Sequence, residues 1–205
     1  MPWKAVRTEA TDSDQELLRL ISRGNEDAFS VLYDRYQGPL YRFVWHMRGN
    51  AAIAEEIIQE VFLLVIRGPK NFDASKGSLA SYLFGVARNL TRRSIEQSRS
   101  TMAFTDIPDE DESGENAIAF DPPDEQQDIF AEISQKQLIE YLQKAVLSLP
   151  EQYREIISLC DLEQMSYTDV AELLQCSPGT VASRLHRGRA MLKDKMRMTV
   201  RGSER

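Results

Sequence analysis

From Arg184 to Arg201 seven basic side chains (Arg184, Arg187, Arg189, Lys193, Lys195, Arg197 and Arg201) stand against Asp194 alone. Cations at helical spacing neutralise phosphates, and such a run becomes a nucleic-acid candidate when a recognition motif lies beside it; otherwise it is a solvated helix face. Earlier in the chain, at 100° per residue, Ser81, Phe84, Arg88 and Arg92 project opposite Leu79, Leu83, Val86 and Leu90. An aromatic ring among cations suits stacking on a base beside phosphate neutralisation. A third group, Glu55, Glu56, Gln59 and Glu60, lies opposite an apolar stripe, with Phe62 and Leu63 at its margins. It reads either as a solvated acidic face or, given the large apolar groups within it, as a dock for a partner with a basic helical surface.

Bond-making chemistry has no such constellation. The chain carries no Walker loop, dinucleotide-binding glycine pattern, nucleophile elbow or zinc-protease pattern. His46 and His186 fall on different lobes, Cys176 reads as a small core residue, and the two cysteines with two histidines make a poor zinc set. No catalytic residue, metal or cofactor is therefore expected.

The elements that must position these groups are helices. Asp12 or Ser13 caps a helix to about Ser22; Asn25, followed by Glu26 and Asp27, opens the next, where Gly38-Pro39 predicts a bend or interruption. Asn50 caps a third helix ending near Gly68-Pro69, with Ile53, Ile57, Val61 and Leu64 as its buried stripe, flanked by Ala54, Ile58 and Val65. A loop to Gly77 precedes a fourth helix beginning near Ser78. Further on, helices are expected over about 129–148 and from Leu149-Pro150 to about Cys160. Then come Ser166–Leu174, opened by a capping-box pair Ser166 and Asp169, and a basic helix from Ser177 with Pro178 in its first turn. Short helix, tight turn and basic helix is the helix-turn-helix arrangement, with Val181, Leu185, Gly188 and Leu192 inward and Ser183, His186, Arg187 and Ala190 outward.

Composition sets the frame. The 205 residues are 42% apolar and 28% charged, ordinary for a soluble chain of one or two domains. No apolar run approaches the ~20 residues a membrane span needs, and the N-terminus lacks a signal-peptide core, so a cytoplasmic protein is expected. The net charge of −7 argues against nucleic acid until its distribution is read. Between Arg99 and Lys136 there are eleven acids and no Lys or Arg, whereas residues 1–99 and 136–205 each carry a surplus of two positive charges. The acidic stretch has no apolar periodicity and predicts a linker, either a solvated tether or a segment seated in a partner's positive channel.

At these residues the chain resembles bacterial sigma factors of the extracytoplasmic-function group, within the sigma-70 family. The resemblance is carried by Asp27-Ala-Phe with Leu32-Tyr-Asp-Arg-Tyr36, Ala54-Glu-Glu-Ile-Ile-Gln-Glu-Val-Phe62, and Gly85-Val-Ala-Arg-Asn89. It continues in Leu149-Pro-Glu-Gln-Tyr-Arg-Glu155, Met165-Ser-Tyr-Thr-Asp-Val-Ala-Glu-Leu-Leu174 and Ser177-Pro-Gly-Thr-Val-Ala-Ser-Arg-Leu-His-Arg187.

That resemblance implies an all-α protein of two small domains: a tail (1–11), a region-two domain (12–99), the acidic linker (100–133), a region-four helix-turn-helix domain (134–197) and a second tail (198–205). It implies binding to RNA polymerase core, at the clamp coiled coil through Glu55, Glu56, Gln59, Glu60 and Phe62, and at the flap through the helices before the terminal one. Capture of flipped minus-ten bases falls to Asn71, Phe72, Asp73, Lys76, Tyr82, Phe84, Arg88, Asn89 and Arg92. Reading of the minus-35 element falls to Thr180, Ser183, Arg184, His186, Arg187, Arg189 and Lys193. An anti-sigma partner is implied as well, with no membrane insertion, cofactor or catalysis. Two departures stand out: Tyr82 and Phe84 replace the family's usual tryptophan and tyrosine, and Ala182 replaces a common cation after Gly-Thr-Val. The rival reading is a free-standing dimeric helix-turn-helix regulator, which would bind a palindrome without polymerase.

Overall fold

The computed structural model describes residues 13–68, 72–102 and 135–202. They form eight α-helices: α1 (Asp14–Ile21), α2 (Glu26–Arg48), α3 (Ala51–Arg67), α4 (Leu79–Met102), α5 (Gln135–Leu147), α6 (Glu151–Ile157), α7 (Tyr167–Leu173) and α8 (Pro178–Gly202). A 3₁₀ turn (Ala74–Lys76) precedes α4, a π-helical segment (Ser158–Leu162) continues α6, and no strand occurs among the described residues. The N-terminal tail, Asn71 and the greater part of the acidic stretch lie outside the described residues, although α4 continues through positions 100–102 of the expected linker.

Helix starts follow the side chains that can satisfy orphan N–H groups. Ser13 accepts from Glu16 N–H at 3.3 Å, Asn25 from Ala28 at 2.8 Å and Asn50 from Ile53 at 3.1 Å. In the second lobe Ser166 accepts from Asp169 N–H at 3.1 Å while donating its hydroxyl to the Asp169 carboxylate at 2.6 Å. Ser177 accepts from Thr180 N–H at 3.1 Å, leaving Pro178 in the first turn of α8, where an N–H is not needed. α2 is not interrupted: it runs unbroken through Pro39, anchored on both sides of the proline by buried Leu32, Leu40, Phe43 and Val44.

The core begins in α1–α4, around Leu17, Leu32, Phe43, Val61 and Leu83, and continues into the second lobe through Leu159, Val170, Ala171 and Val181. A smaller cluster, Leu149, Ile156, Ile157 and Leu185, holds α6 to α8. There a Cβ on Gly188 would stand 3.1 Å from Ile157 Cδ1, so glycine permits the close approach. Gly49 (φ +64°) ends α2 and meets Leu147 of α5, whose methyl carbons would lie 3.3 Å from an added Cβ. Polar contacts also cross between the lobes. Arg42 forms a bidentate pair with Glu163 at 3.0 and 2.7 Å. Arg88 Nε meets Glu155 at 2.5 Å. Arg154 donates to the Met47 carbonyl in the last turn of α2 at 2.9 Å and to the Leu149 carbonyl at 2.9 and 3.2 Å. That guanidinium therefore satisfies carbonyls left over at the ends of two helices from different lobes.

Candidate polymerase and nucleic-acid interfaces

Three surfaces carry the residues singled out in the sequence. On α3, Glu55, Glu56, Gln59 and Glu60 are all exposed. Phe62 does not belong to that surface: it is 3% exposed, packed edge-on against Phe29 with ring centres 6.0 Å apart and against Tyr33 at 4.7 Å. It is a core residue that holds α3 on α2. The apolar members of the face are instead Leu63, Leu64 and Ile66, 46%, 38% and 48% exposed. Leu64 was expected inside. The helix buries Ala54, Ile57, Ile58, Val61, Phe62 and Val65, a stripe rotated toward Phe62 and away from Leu64. Glu56, Gln59, Leu63 and Ile66 fall close to one line along the helix, at spacings of three, four and three residues. The exposed face is acidic at its start and apolar toward its end.

The minus-ten set divides in two. Phe72 and Tyr82 are half-buried against each other, ring centres 5.8 Å apart. Asp73 caps the 3₁₀ turn, accepting from the Ser75 N–H at 3.0 Å and its hydroxyl at 2.7 Å. Lys76 ends that turn. Along α4, Asn89 and Arg92 are exposed, and with Tyr82 they define an outward face. Arg93 joins it, eleven residues and thus about 20° from Tyr82. Sequence reasoning passed over Arg93, though counting on from Tyr82 instead of Phe84 places it.

Phe84 and Arg88 occupy the other side. Phe84 is 3% exposed and packs edge-to-face on Phe43 with ring centres 5.5 Å apart, a correction to the exposed position expected for it. The ring is thus covered from α2, and α7 also packs on α4. Arg88 is committed to Glu155, and their side chains are 19% and 10% exposed. Between the lobes remains an open cleft of about 680 Å³, lined in part by Arg35, Tyr36, Arg42, Phe84, Glu163 and Asp169. Arg35 and Tyr36 both bind Asp14, at 2.5 Å each. Burial raises the Tyr36 phenol well above its ordinary pKa, and its hydrogen bond to Asp14 adds to the shift. Burial likewise raises Glu163, with Arg42 opposing the shift.

The third surface is α8. Ser183, His186, Arg187, Ala190 and Lys193 are exposed, Arg184 and Thr180 half-buried, and Val181, Leu185 and Gly188 face inward, as the spacing predicts. Leu192 is half-buried rather than buried. Ser183 donates to the Thr180 carbonyl at 3.0 Å. Arg189 is exposed but engaged, bidentate with Asp161 of the π segment at 2.9 and 2.6 Å, a hydrogen bond that raises its pKa further. The helix-turn-helix angle is set by a Schellman-type turn: Cys176 N–H reaches Ala171 C=O at 2.9 Å and Gln175 N–H reaches Glu172 C=O at 3.1 Å, with Gln175 at φ +53°. Burial pushes the Cys160 thiol up to about 11, which makes it a poor nucleophile. No group of His, Cys, Asp and Glu among the described residues could hold a metal ion, and no described helix is long and apolar enough to cross a membrane.

Comparison with known proteins identifies both lobes. Residues 32–101 match the family model of sigma-70 region 2, and residues 139–192 that of sigma-70, region 4. The chain is 27% identical over 182 residues to the ECF RNA polymerase sigma factor SigW of Bacillus subtilis (strain 168), covering 88% of this chain and 95% of that one. It is 30% identical over 190 residues to the ECF RNA polymerase sigma factor SigK of Mycobacterium sp. (strain KMS), covering 92% and 93%. Its fold is similar to that of the sigma factor RpoE, solved with the anti-sigma factor NepR from Bartonella quintana, at a TM-score of 0.64 and 21% identity over 82% of this chain and 96% of that one.

Proposed function

The chain belongs to the extracytoplasmic-function group of the sigma-70 family, and from that premise we propose how its surfaces divide the work of a sigma factor. Such a factor binds RNA polymerase core and directs it to promoters. The observation that carries the assignment is the pairing of region 2 and region 4 matches in one chain, in that order. A free-standing dimeric regulator is not favoured.

The acidic-then-apolar face of α3 (Glu55, Glu56, Gln59, Glu60, with Leu63 and Ile66) docks on the clamp coiled coil, with Phe62 supporting it from beneath. Phe72, Tyr82, Asn89 and Arg92, joined by Arg93, form the minus-ten surface, to which Arg88 is added when released from Glu155. Each base stacked there contributes ~1–3 kcal/mol against the cost of melting. On α8, Ser183, His186 and Arg187 reach base edges of the minus-35 element, while Arg184 and Lys193 position the helix on phosphates. The functional units follow the bounds 12–99 and 134–197, with the acidic stretch between them as a tether.

The factor has no catalysis of its own, works in the cytoplasm where polymerase is, and is held in reserve by an anti-sigma partner; family membership supports the last. Reconstituted run-off transcription with core polymerase on a fragmented genomic library tests the assignment. Transcripts starting downstream of shared sequence elements, absent without the chain, are expected; core that initiates no differently with and without it would overturn the reading.

A further inference from the structure

Arg189 is one of the many cations of α8, but its direction sets it apart. At 100° per residue it stands about 40° from inward Leu185, four positions back, and about 160° from outward Arg187. Its guanidinium meets the Asp161 carboxylate of the π segment as a fork: Nε donates to Oδ2 at 2.9 Å and Nη2 to Oδ1 at 2.6 Å. The turn that presents Asp161 is a widened one, closed by the Glu163 N–H on the Ser158 carbonyl at 3.0 Å. Tyr167, the first residue of α7, acts on the same guanidinium, more weakly than Asp161 does. One side chain thus links α8 to the two elements that precede it. We infer that Asp161 and Arg189 are positioning residues for minus-35 reading: their fork sets the roll of α8 about its own axis, and Arg189 does this in place of binding a phosphate. The inference rests on the sigma-factor reading of α8.

Roll is what a recognition helix has to hold. Leu185 and Gly188 fix how closely α8 approaches α6, where an added Cβ on Gly188 would stand 3.1 Å from Ile157, but apolar contact has no direction. A roll of ~10° moves an atom ~6 Å from the axis by ~1 Å. Hydrogen bonds to base edges tolerate about half of that. Ser183, His186 and Arg187, all exposed, are the groups whose aim depends on it. A two-point fork does have a direction, because both N–H groups must stay in line with both oxygens. Exposed ion pairs add little to stability. This one, with side chains 56% and 27% exposed, therefore orients the helix more than it stabilises the fold.

The test uses the full-length chain with core polymerase. Its templates are a promoter that the wild-type chain recovers from the genomic library and the same promoter with its minus-35 element scrambled. Asp161→Asn removes an acid, a change that by electrostatics alone tightens DNA binding. Here it should instead lower the ratio of initiation on the intact to the scrambled promoter about tenfold. Arg189→Gln and the double variant should lower that ratio equally, and Arg189→Lys, which keeps the charge but not the fork, should not restore it. The dependence of binding on salt should stay that of wild type. The inference is overturned by an unchanged ratio or tighter binding in Asp161→Asn, or by initiation that falls alike on both promoters. It is overturned equally if Arg189→Gln lowers the salt slope by about one and lysine restores it, the mark of a phosphate ligand. Hydrogen exchange of the free chain gives a reading without polymerase. Asp161→Asn should quicken exchange of the Gln175 and Cys176 amides, which bond Glu172 and Ala171 across the turn, by about threefold or more. Unaltered exchange overturns the inference too. A wild-type chain that yields no transcript counts against the sigma assignment and leaves the exchange measurement to decide the role of the fork.

Discussion

His46 sits 9% exposed beside Trp45, and burial holds its imidazole below the ordinary value, with a hydrogen bond to the Arg42 backbone opposing the shift. A base whose folded pKa is depressed binds protons more readily when unfolded. Stability is therefore lost as pH falls through the unfolded value of ~6.5 toward the folded one, at up to ~1.4 kcal/mol per pH unit. Glu163, shifted upward, works in the opposite sense, so the difference between two chains is the informative quantity. Thermal denaturation between about pH 7.5 and 5.5 should show a smaller acid-induced loss of Tm in His46→Gln than in wild type; parallel curves would show that His46 does not titrate with folding. A second pair of substitutions separates support from contact on α3. Phe62→Ala removes a ring from a three-ring cluster and should cost ~3–5 kcal/mol, with reduced polymerase binding only as a consequence. Glu56→Lys, fully at the surface, should leave stability within ~0.5 kcal/mol and abolish co-purification with core polymerase. A Phe62→Ala chain as stable as wild type would return that ring to the exposed face.

At the level of elements, the turn between α7 and α8 carries its own strain. Gln175 occupies the left-handed region at φ +53°, where a side chain is disfavoured and glycine is not. Gln175→Gly should stabilise the chain by a few tenths to ~1 kcal/mol, raising Tm by ~2–4 °C at most, with minus-35 binding unchanged. A fall in Tm would mean that the glutamine side chain, not the backbone, secures the turn. This turn marks what could be read in advance. Caps, helix-turn-helix spacing and the inward set Val181, Leu185 and Gly188 depend on residues three or four apart, and the sequence displays them directly. The π segment left no such trace. No residue type encodes a widened turn, and the pairs made there, Asp161 with α8 and the next residue but one, Glu163, with α2, span 28 and 121 positions.

The whole molecule accounts for the remaining differences. A helical wheel fixes which residues share a face but not what lies against it. Phe84 and Arg88 were expected outward, opposite Leu79 and Leu83, but Phe84 packs on Phe43 of α2, α7 packs on α4 and Glu155 of α6 holds Arg88, so the outward surface of α4 turns to Tyr82, Asn89, Arg92 and Arg93. The same long-range packing makes one core of what the charge pattern divided into two lobes, since Leu159, Val170, Ala171 and Val181 join the cluster built on α1–α4. A shared core couples the unfolding of its parts. Leu159→Ala, at a position with no exposure, should cost ~2–5 kcal/mol. If the lobes open as separate units, hydrogen exchange will quicken only in α6–α8. If the core is one cooperative body, amides of α2 and α4 that face the second lobe will lose protection too, although the substitution lies outside their sequence match. The second outcome is expected for the free chain. It should disappear on polymerase if binding separates the lobes, because Leu159 would then no longer pack with the first lobe's cluster.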